Sequence, residues 1–285
     1  MKEKIIKLIL LACAFVSIFF LCGITLTLFT ESLSIFKELN IFKFLFGTHW
    51  YPTRYPPELG ILPLIVGTLV VTLGTLIIAV PLGVGTAIYI SEVASHKIKE
   101  ILKPTVELLA SVPSVIYGLF GMVFLAPLVQ KVFNVPIGLN AFTASIILGM
   151  MALPTVASIA EDAISSVPKS LREASFALGA TKWETITRSV VPAASSGIIA
   201  SIILGLGRAI GETMTVLMVA GGAAQIPHSI FDPIRTMTAT IAAEMGEAPM
   251  GSMHYQALFA IALVLFFMTL GFNILADWIS HRRKV

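Results

Sequence analysis

The chain has 285 residues, 56% of them hydrophobic and only 12% charged, with a mean hydropathy of +0.92. A soluble domain carries about a quarter charged residues, so this composition excludes an ordinary soluble fold. A net charge of +3 does not imply nucleic acid, and two cysteines, Cys13 and Cys22, offer neither a disulfide framework nor a zinc spacing.

A membrane span needs about twenty mainly apolar residues, and six stretches qualify, at 5–29, 61–90, 106–132, 142–160, 193–219 and 257–279. The first follows Lys2 and Lys4 but is too long for the ~7–15-residue core of a signal peptide, so it is expected to be retained. Segment 31–60 carries Trp50-Tyr51-Pro52 and Tyr55-Pro56-Pro57, which fit an ordered outer lid or an interfacial loop with aromatic anchors. Its histidine, His49, belongs to no motif. Lys97, Lys99 and Lys103 follow the second span, and Glu107 is expected at the interface near the start of the third. A hydrophilic island, 161–192, separates the fourth and fifth spans, and an outer segment, 221–255, separates the fifth and sixth. Most of the 19 basic residues fall at the N-terminus, after span two, in the island or in the tail Arg282-Arg283-Lys284. Lys37, Lys43, Arg54, Lys131 and Arg235 fall on the other side. The positive-inside rule therefore predicts both termini and the island in the cytoplasm, with Trp278 as an interfacial anchor. The expected division is 1–60, a first span with an outer loop, and 61–285, a core of five spans.

The island reads as two short helices joined at a glycine. Val167-Pro168 opens the first, Ser170 to Glu173 fits a capping box, and Leu171, Ala174, Ser175 and Leu178 share one face. Gly179 occupies the place of a C-terminal residue with positive φ. Thr181 to Glu184 is a second capping box, and Trp183, Ile186, Thr187 and Val190 form a face that Pro192 is expected to end. Short helices around such a glycine also occur in helix-turn-helix DNA-binding units, but the membrane spans on either side leave no room for a third packing helix. The protruding pair suits a docking plug.

This arrangement resembles the EAA loop of ABC-type importer permeases, whose pattern runs E-A-A, three residues, G, nine residues, I-x-L-P. Glu173, Ala174, Gly179 and Pro192 match it, while Ser175, Ser189 and Val191 depart from it. The resemblance implies that the loop sits in a cleft of an ATPase subunit, with those four matching residues carrying the coupling. No Gly-Lys dipeptide occurs, so there is no P-loop, and no His-Glu-x-x-His, Cys-x-x-Cys or Gly-x-Ser-x-Gly exists. The chain is not expected to be an enzyme, and no metal or other cofactor is implied.

Span five carries the remaining chemistry, in Gly207-Arg208-Ala209-Ile210-Gly211-Glu212-Thr213-Met214-Thr215. As one helix, 193–219 would be about 40 Å long, with Arg208 about 24 Å beyond Pro192, just past its middle. A charge at that depth is costly and should face an interior or a water-filled path. Arg208 and Glu212, four apart, would share a face with Ser201 and Thr215. Two readings follow: a polar stripe handling an anion, with Arg208 in contact and Glu212 tuning it, or an intrahelical ion pair that serves packing. Gly197, Ser201 and Gly205, and separately Gly207 and Gly211, are small-residue sets that admit a close neighbour helix.

Arg208 to Met214 resembles the corresponding block of phosphate importer permeases of the Pst system, C-type. Gly60-Ile61-Leu62-Pro63 with Gly67-Thr68-Leu69, the stretch Pro113 to Leu119, and Ala177 to Trp183 support this likeness from about Trp50 to the end. The resemblance implies an all-α, six-span inner-membrane permease of the type I ABC importer fold. Its implied partners are an A-type permease, a cytoplasmic ATPase dimer and an external phosphate-binding protein. It also implies that Arg208 and Glu212 lie on the phosphate path, and Thr215 on the same face is the third candidate. Alternatives are a permease for sulfate, molybdate or phosphonate, an ion-coupled secondary transporter with Glu212 carrying protons, or a membrane scaffold. A secondary transporter has no use for an ATPase plug, and a scaffold has no use for a buried charge.

Overall fold

A computed structural model describes residues 2–37 and 39–282; Arg283 and Lys284 of the basic tail lie outside the described residues. Among the described residues the regular structure is helical apart from one short antiparallel hairpin and an isolated bridge between Gly221 and Ile234. Helix α1 (Lys2–Ile35) is followed by α2 (Ile41–Phe46) and the hairpin of β1 (Trp50–Tyr51) and β2 (Glu58–Leu59). Helix α3 (Leu62–Ile88) leads through a widened turn at Tyr89–Val93 to α4 (His96–Ala110). The third span is α5 (Ser114–Phe120) and α6 (Ala126–Phe133), joined by another widened turn. Helix α7 (Ala141–Ser165) precedes the island, which holds α8 (Lys169–Ala177), α9 (Lys182–Thr185) and the single turn α10 (Val191–Ala193). Then come α11 (Ser195–Gly211), α12 (Met214–Val219), α13 (Met237–Glu244) and α14 (Met253–Arg282).

Among the described residues five helical stretches are long and apolar enough to cross a membrane, and a sixth arises if 182–193 and α11, bent by 68°, count as one. Helix α7 is the hub: 61% of its most apolar stretch is buried, against 0% for α1, which packs chiefly on α14. A membrane protein leaves such surfaces to lipid, because hydrocarbon tails are as apolar as Leu. Among the described residues three buried clusters make up the interior. One gathers Ile35, Phe44, Trp50, Leu64 and Leu258 under the hairpin. A middle one joins Val71, Leu148, Val216 and Ile234. The third, at the island end, joins Ala87, Ile164, Val190 and Ile198. Trp50 is thus a core residue, whereas Tyr55 is exposed.

Two expected spans change. The third begins at Ser114, so 106–110 belongs to α4, an amphipathic helix with no buried residue. Pro113 causes the break: a residue before proline is pushed out of the helical region, and Pro113 itself is extended (ψ 138°). The fifth is not one rod. It starts at Ser195 and stops at Gly211, where Glu212 turns extended (ψ 129°) before α12 begins.

Gly197 and Gly205 do admit a neighbour: a Cβ on Gly197 would collide with Ala163, and one on Gly205 would lie 2.7 Å from Val156 Cγ2, both on α7. Gly207 and Gly211 meet nothing within 4 Å, so that pair faces away from the rest of this chain.

Candidate functional site: a broken span and a protruding loop

The island takes the two-helix form, with three departures from expectation. Gly179 has φ +84°; its N–H bonds Phe176 O at 2.9 Å and that of Ala180 bonds Ser175 O at 3.2 Å, the paired bonds of a Schellman cap. The Thr181–Glu184 capping box forms, with Thr181 N–H donating to Glu184 at 2.9 Å. The Ser170–Glu173 box does not, because α8 starts with Pro168 as its cap and Ser170 already lies inside the helix. Pro192 does not end the second helix, which continues to Ala193. The widened turn Ile186–Val190 lies just before it, and the bend comes only at Ala194. That turn also shifts the buried face to Thr185, Ile186 and Val190, leaving Trp183 65% exposed. Ser175 and Thr185 hydroxyls, 2.9 Å apart, tie the two helices together.

Glu173, Ala174 and Gly179 lie on the exposed side of this loop, near Phe176, Leu178 (90% exposed) and Trp183. Pro192 sits at its root. The loop is fastened by Arg172, whose Nη2 and Nε reach Glu92 Oε1 at 2.6 and 3.1 Å and whose Nη1 and Nη2 donate to Val167 O and Ile164 O. Beside it, Glu161 at the foot of α7 is almost fully buried between Lys99 (2.7 Å) and Lys103 (2.6 Å) of α4, with Lys103 also reaching Asp162. Hydrogen bonds to Asp162 and then Glu161 hold the Lys103 amine well above its ordinary pKa. Sequence reasoning used these lysines for topology and missed the cluster. The available signal was Lys99 and Lys103 four apart on a helix, against an acidic pair closing an apolar run.

In the fifth span the structure separates Arg208 from Glu212. No ion pair joins them, because the helix ends between the two side chains. Arg208, in the last turn of α11 and half-buried, donates from Nη1 to Thr155 Oγ1 at 2.8 Å and from Nη2 to Ala110 O at 3.4 Å. Glu212 accepts the first-turn Thr215 N–H of α12 at 3.0 Å, and its carbonyl accepts the Thr238 hydroxyl at 2.8 Å. Thr215 is buried and donates to Ser114 O at 2.9 Å, at the head of α5. Thus Arg208, Glu212 and Thr215 surround one break rather than sharing one helical stripe. Thr155, Ala110 and Thr238, which complete it, come from distant segments with no sequence motif. Chemically, the place offers a guanidinium with no carboxylate partner among the described residues, beside backbone groups that no regular helix occupies.

At the opposite end, Glu244 accepts from Trp50 Nε1 (3.1 Å) and Arg235 Nη1 (2.6 Å) and meets His254 Nε2 (2.9 Å), pinning the hairpin to α13 and α14. Among the described residues no cluster of His, Cys, Asp or Glu is fit for a metal ion.

A bundle of membrane-length helices, one of them bent by 68°, with a two-helix loop at one end has the type I ABC importer permease fold. Residues 79–285 match the family described as "Binding-protein-dependent transport system inner membrane component", and the chain belongs to it. It is therefore a transporter component and a multi-pass membrane protein. It is 39% identical over 281 residues to "Probable ABC transporter permease protein YqgH" of Bacillus subtilis (strain 168), covering 98% of this chain and 91% of that one. It is 36% identical over 246 residues to "Phosphate transport system permease protein PstC" of Haemophilus influenzae, covering 80% and 77%. Among solved structures, a bacterial alginate ABC transporter in complex with a pentasaccharide-bound periplasmic protein superposes with TM-score 0.70 at 18% identity, over 99% of this chain and 95% of that one. The MetNI methionine ABC transporter, in an inward-facing form, gives 0.59 at 20% over 79% and 95%. These two support the fold alone.

Proposed function

We propose that this chain is a C-type permease subunit of an ATP-driven importer for inorganic phosphate. The observation that carries the reading is Arg208: a guanidinium within a membrane span, held by a hydroxyl and a carbonyl and, among the described residues, neutralised by no carboxylate. A buried charge without a partner in the membrane points to an ionic substrate, and a planar fork suits a tetrahedral oxyanion. The names of relatives such as the Haemophilus protein support phosphate as that oxyanion. Glu212 and Thr215 act with it by setting the break: one accepts a first-turn N–H of α12, the other joins α12 to the head of α5.

ATP hydrolysis then belongs to a cytoplasmic ATPase dimer seated on loop 161–192. Glu173, Ala174 and Gly179 lie at the contact and Pro192 at the hinge to α11. Exposed Phe176, Leu178 and Trp183 give that contact the apolar and aromatic surface an interface core favours. An A-type permease completes the path and an external phosphate-binding protein delivers the anion to the hairpin end. Lys99, Lys103, Lys169 and Arg172 gather at the loop end of the bundle, which supports a cytoplasmic loop and, with six spans, cytoplasmic termini.

The test is co-purification with a P-loop ATPase, followed by ATP hydrolysis in proteoliposomes with the binding protein. Inorganic phosphate should stimulate hydrolysis and accumulate inside, while sulfate, molybdate and phosphonate should do neither. Stimulation by sulfate alone would replace the substrate, and failure to retain any ATPase would overturn the reading.

A further inference from the structure

Thr155 lies on α7 directly after Pro154, a position no motif marks. In apolar helices a threonine or serine hydroxyl commonly donates to the carbonyl four residues back. Thr68, Ser91, Thr105, Ser145 and Thr187 all do so here, at 2.7–2.9 Å. Thr155 does not. Its oxygen instead accepts from Arg208 Nη1 at 2.8 Å, and its O–H donates to no protein group among the described residues. A hydroxyl has one proton to give, and accepting from a guanidinium leaves that proton free. Arg208 also has spare N–H groups, since its fork offers more donors than Thr155 and Ala110 use. Both side chains are half-buried, so the spare donors lie at a partly accessible surface and not in a sealed core.

We infer that Thr155 is a second direct contact for the transported oxyanion, supplying a neutral hydroxyl donor beside the Arg208 charge. The inference rests on the proposed anion-transport reading and deepens it. The Arg208–Thr155 bond orients the guanidinium by holding one nitrogen, and it aims the hydroxyl proton outward at the same time. An oxyanion placed against the fork would then accept from both elements, α11 and α7. That joins the two helices through the substrate; with the site empty, the Arg208–Thr155 bond is added only to the apolar packing of Gly197 and Gly205 on α7. A merely structural hydroxyl would accept from Arg208 and contribute nothing to substrate retention.

The experiment uses the assembled transporter in proteoliposomes, measuring phosphate accumulated per ATP hydrolysed for Thr155→Ser, Thr155→Val and Arg208→Gln. Thr155→Ser should stay within about twofold of the parent. Thr155→Val should lose at least ~10-fold, the range of one hydrogen bond to a charged group. If Arg208→Gln abolishes transport while Thr155→Val transports normally, the Thr155 inference fails and the anion-path reading stands. If Arg208→Gln itself transports normally, the reading fails first. Should Thr155→Val not assemble, Thr155→Cys in a background lacking Cys13 and Cys22 gives a second measurement. Millimolar inorganic phosphate, but not chloride, should slow its modification by a small thiol reagent severalfold, and equal rates would overturn the contact.

Discussion

Arg172 and Glu92, 80 positions apart in the chain, close a two-donor contact that fastens the protruding loop to the end of the second span. Both side chains are mostly buried (19% and 11% exposed), and Arg172 is further committed to the carbonyls of Val167 and Ile164. Removing one partner leaves a charge with little water. Glu92→Gln should therefore cost about 2 kcal/mol, below the ~3–5 kcal/mol of a fully buried pair because of the residual exposure. Limited trypsin digestion at Lys169 and Lys182 should accelerate accordingly; an unchanged rate would show that the carbonyl bonds suffice.

Gly179 tests the plug. Nothing lies within 4 Å of an added Cβ, so the cost of substitution is conformational and not steric. Valine at φ +84° is strained by about 1–2 kcal/mol or more, whereas asparagine tolerates that region. Gly179→Asn should retain ATPase co-purification and Gly179→Val should insert normally yet lose it. Equal behaviour of the two would assign Gly179 to an ordinary loop.

Because Arg208 and Glu212 are not paired, neutralising both should not restore what one loses. Arg208→Gln should abolish phosphate uptake at unchanged membrane level, and Arg208→Lys should leave a part of it, keeping charge without the fork. The double variant Arg208→Gln with Glu212→Gln should be as inactive as the single. Recovery of uptake would revive the ion pair and remove Arg208 from the path.

Orientation can be read with single cysteines in a background lacking Cys13 and Cys22. Ser95, Ser166 and Thr53 are all exposed, so a thiol at each would be reachable by reagent on its own side. An impermeant reagent added to intact cells should label Thr53→Cys and spare Ser95→Cys and Ser166→Cys. Labelling of Ser166→Cys from outside would reverse the bundle.

The α4 cluster predicts an asymmetry. Glu161 is 2% exposed and Asp162 63%, so Glu161→Gln should destabilise clearly while Asp162→Asn changes stability by under about 1 kcal/mol. The raised Lys103 pKa means its stabilisation is complete below the unfolded value of about 10.4 and is lost only as pH rises through the folded one. Thermal melts of the purified protein between pH 7 and 9 should therefore show no Lys103-dependent decline; a decline absent in Lys103→Met would contradict the cluster.

Long apolar runs made the spans legible, and Gly179 and Thr181–Glu184 were legible because capping uses few residue types at fixed offsets. Local rules failed where two elements settled a question together. The bend at Ala194 follows a widened turn rather than Pro192 itself. The break at Glu212 lies in a sequence that reads as continuous helix, and it is held open by Thr238 and Ser114, 26 and 101 positions from the residues they bond. Arg208 was legible as an oddity, since charge is rare in such a run; its partners Thr155 and Ala110 were not, for they are ordinary residues until the bundle assembles.

That break also bears on the order in which the protein can be made. A helix interrupted in hydrocarbon exposes backbone groups that lipid cannot satisfy. Here the Glu212 carbonyl is served by Thr238, on a segment the ribosome has yet to deliver when residue 212 emerges, while Thr215 needs Ser114 already in place. The fifth span therefore cannot reach its final shape as an independent insertion unit. It matures only once residue 238 has emerged and folded back, so a nascent chain halted before that point should remain in the care of the insertion machinery.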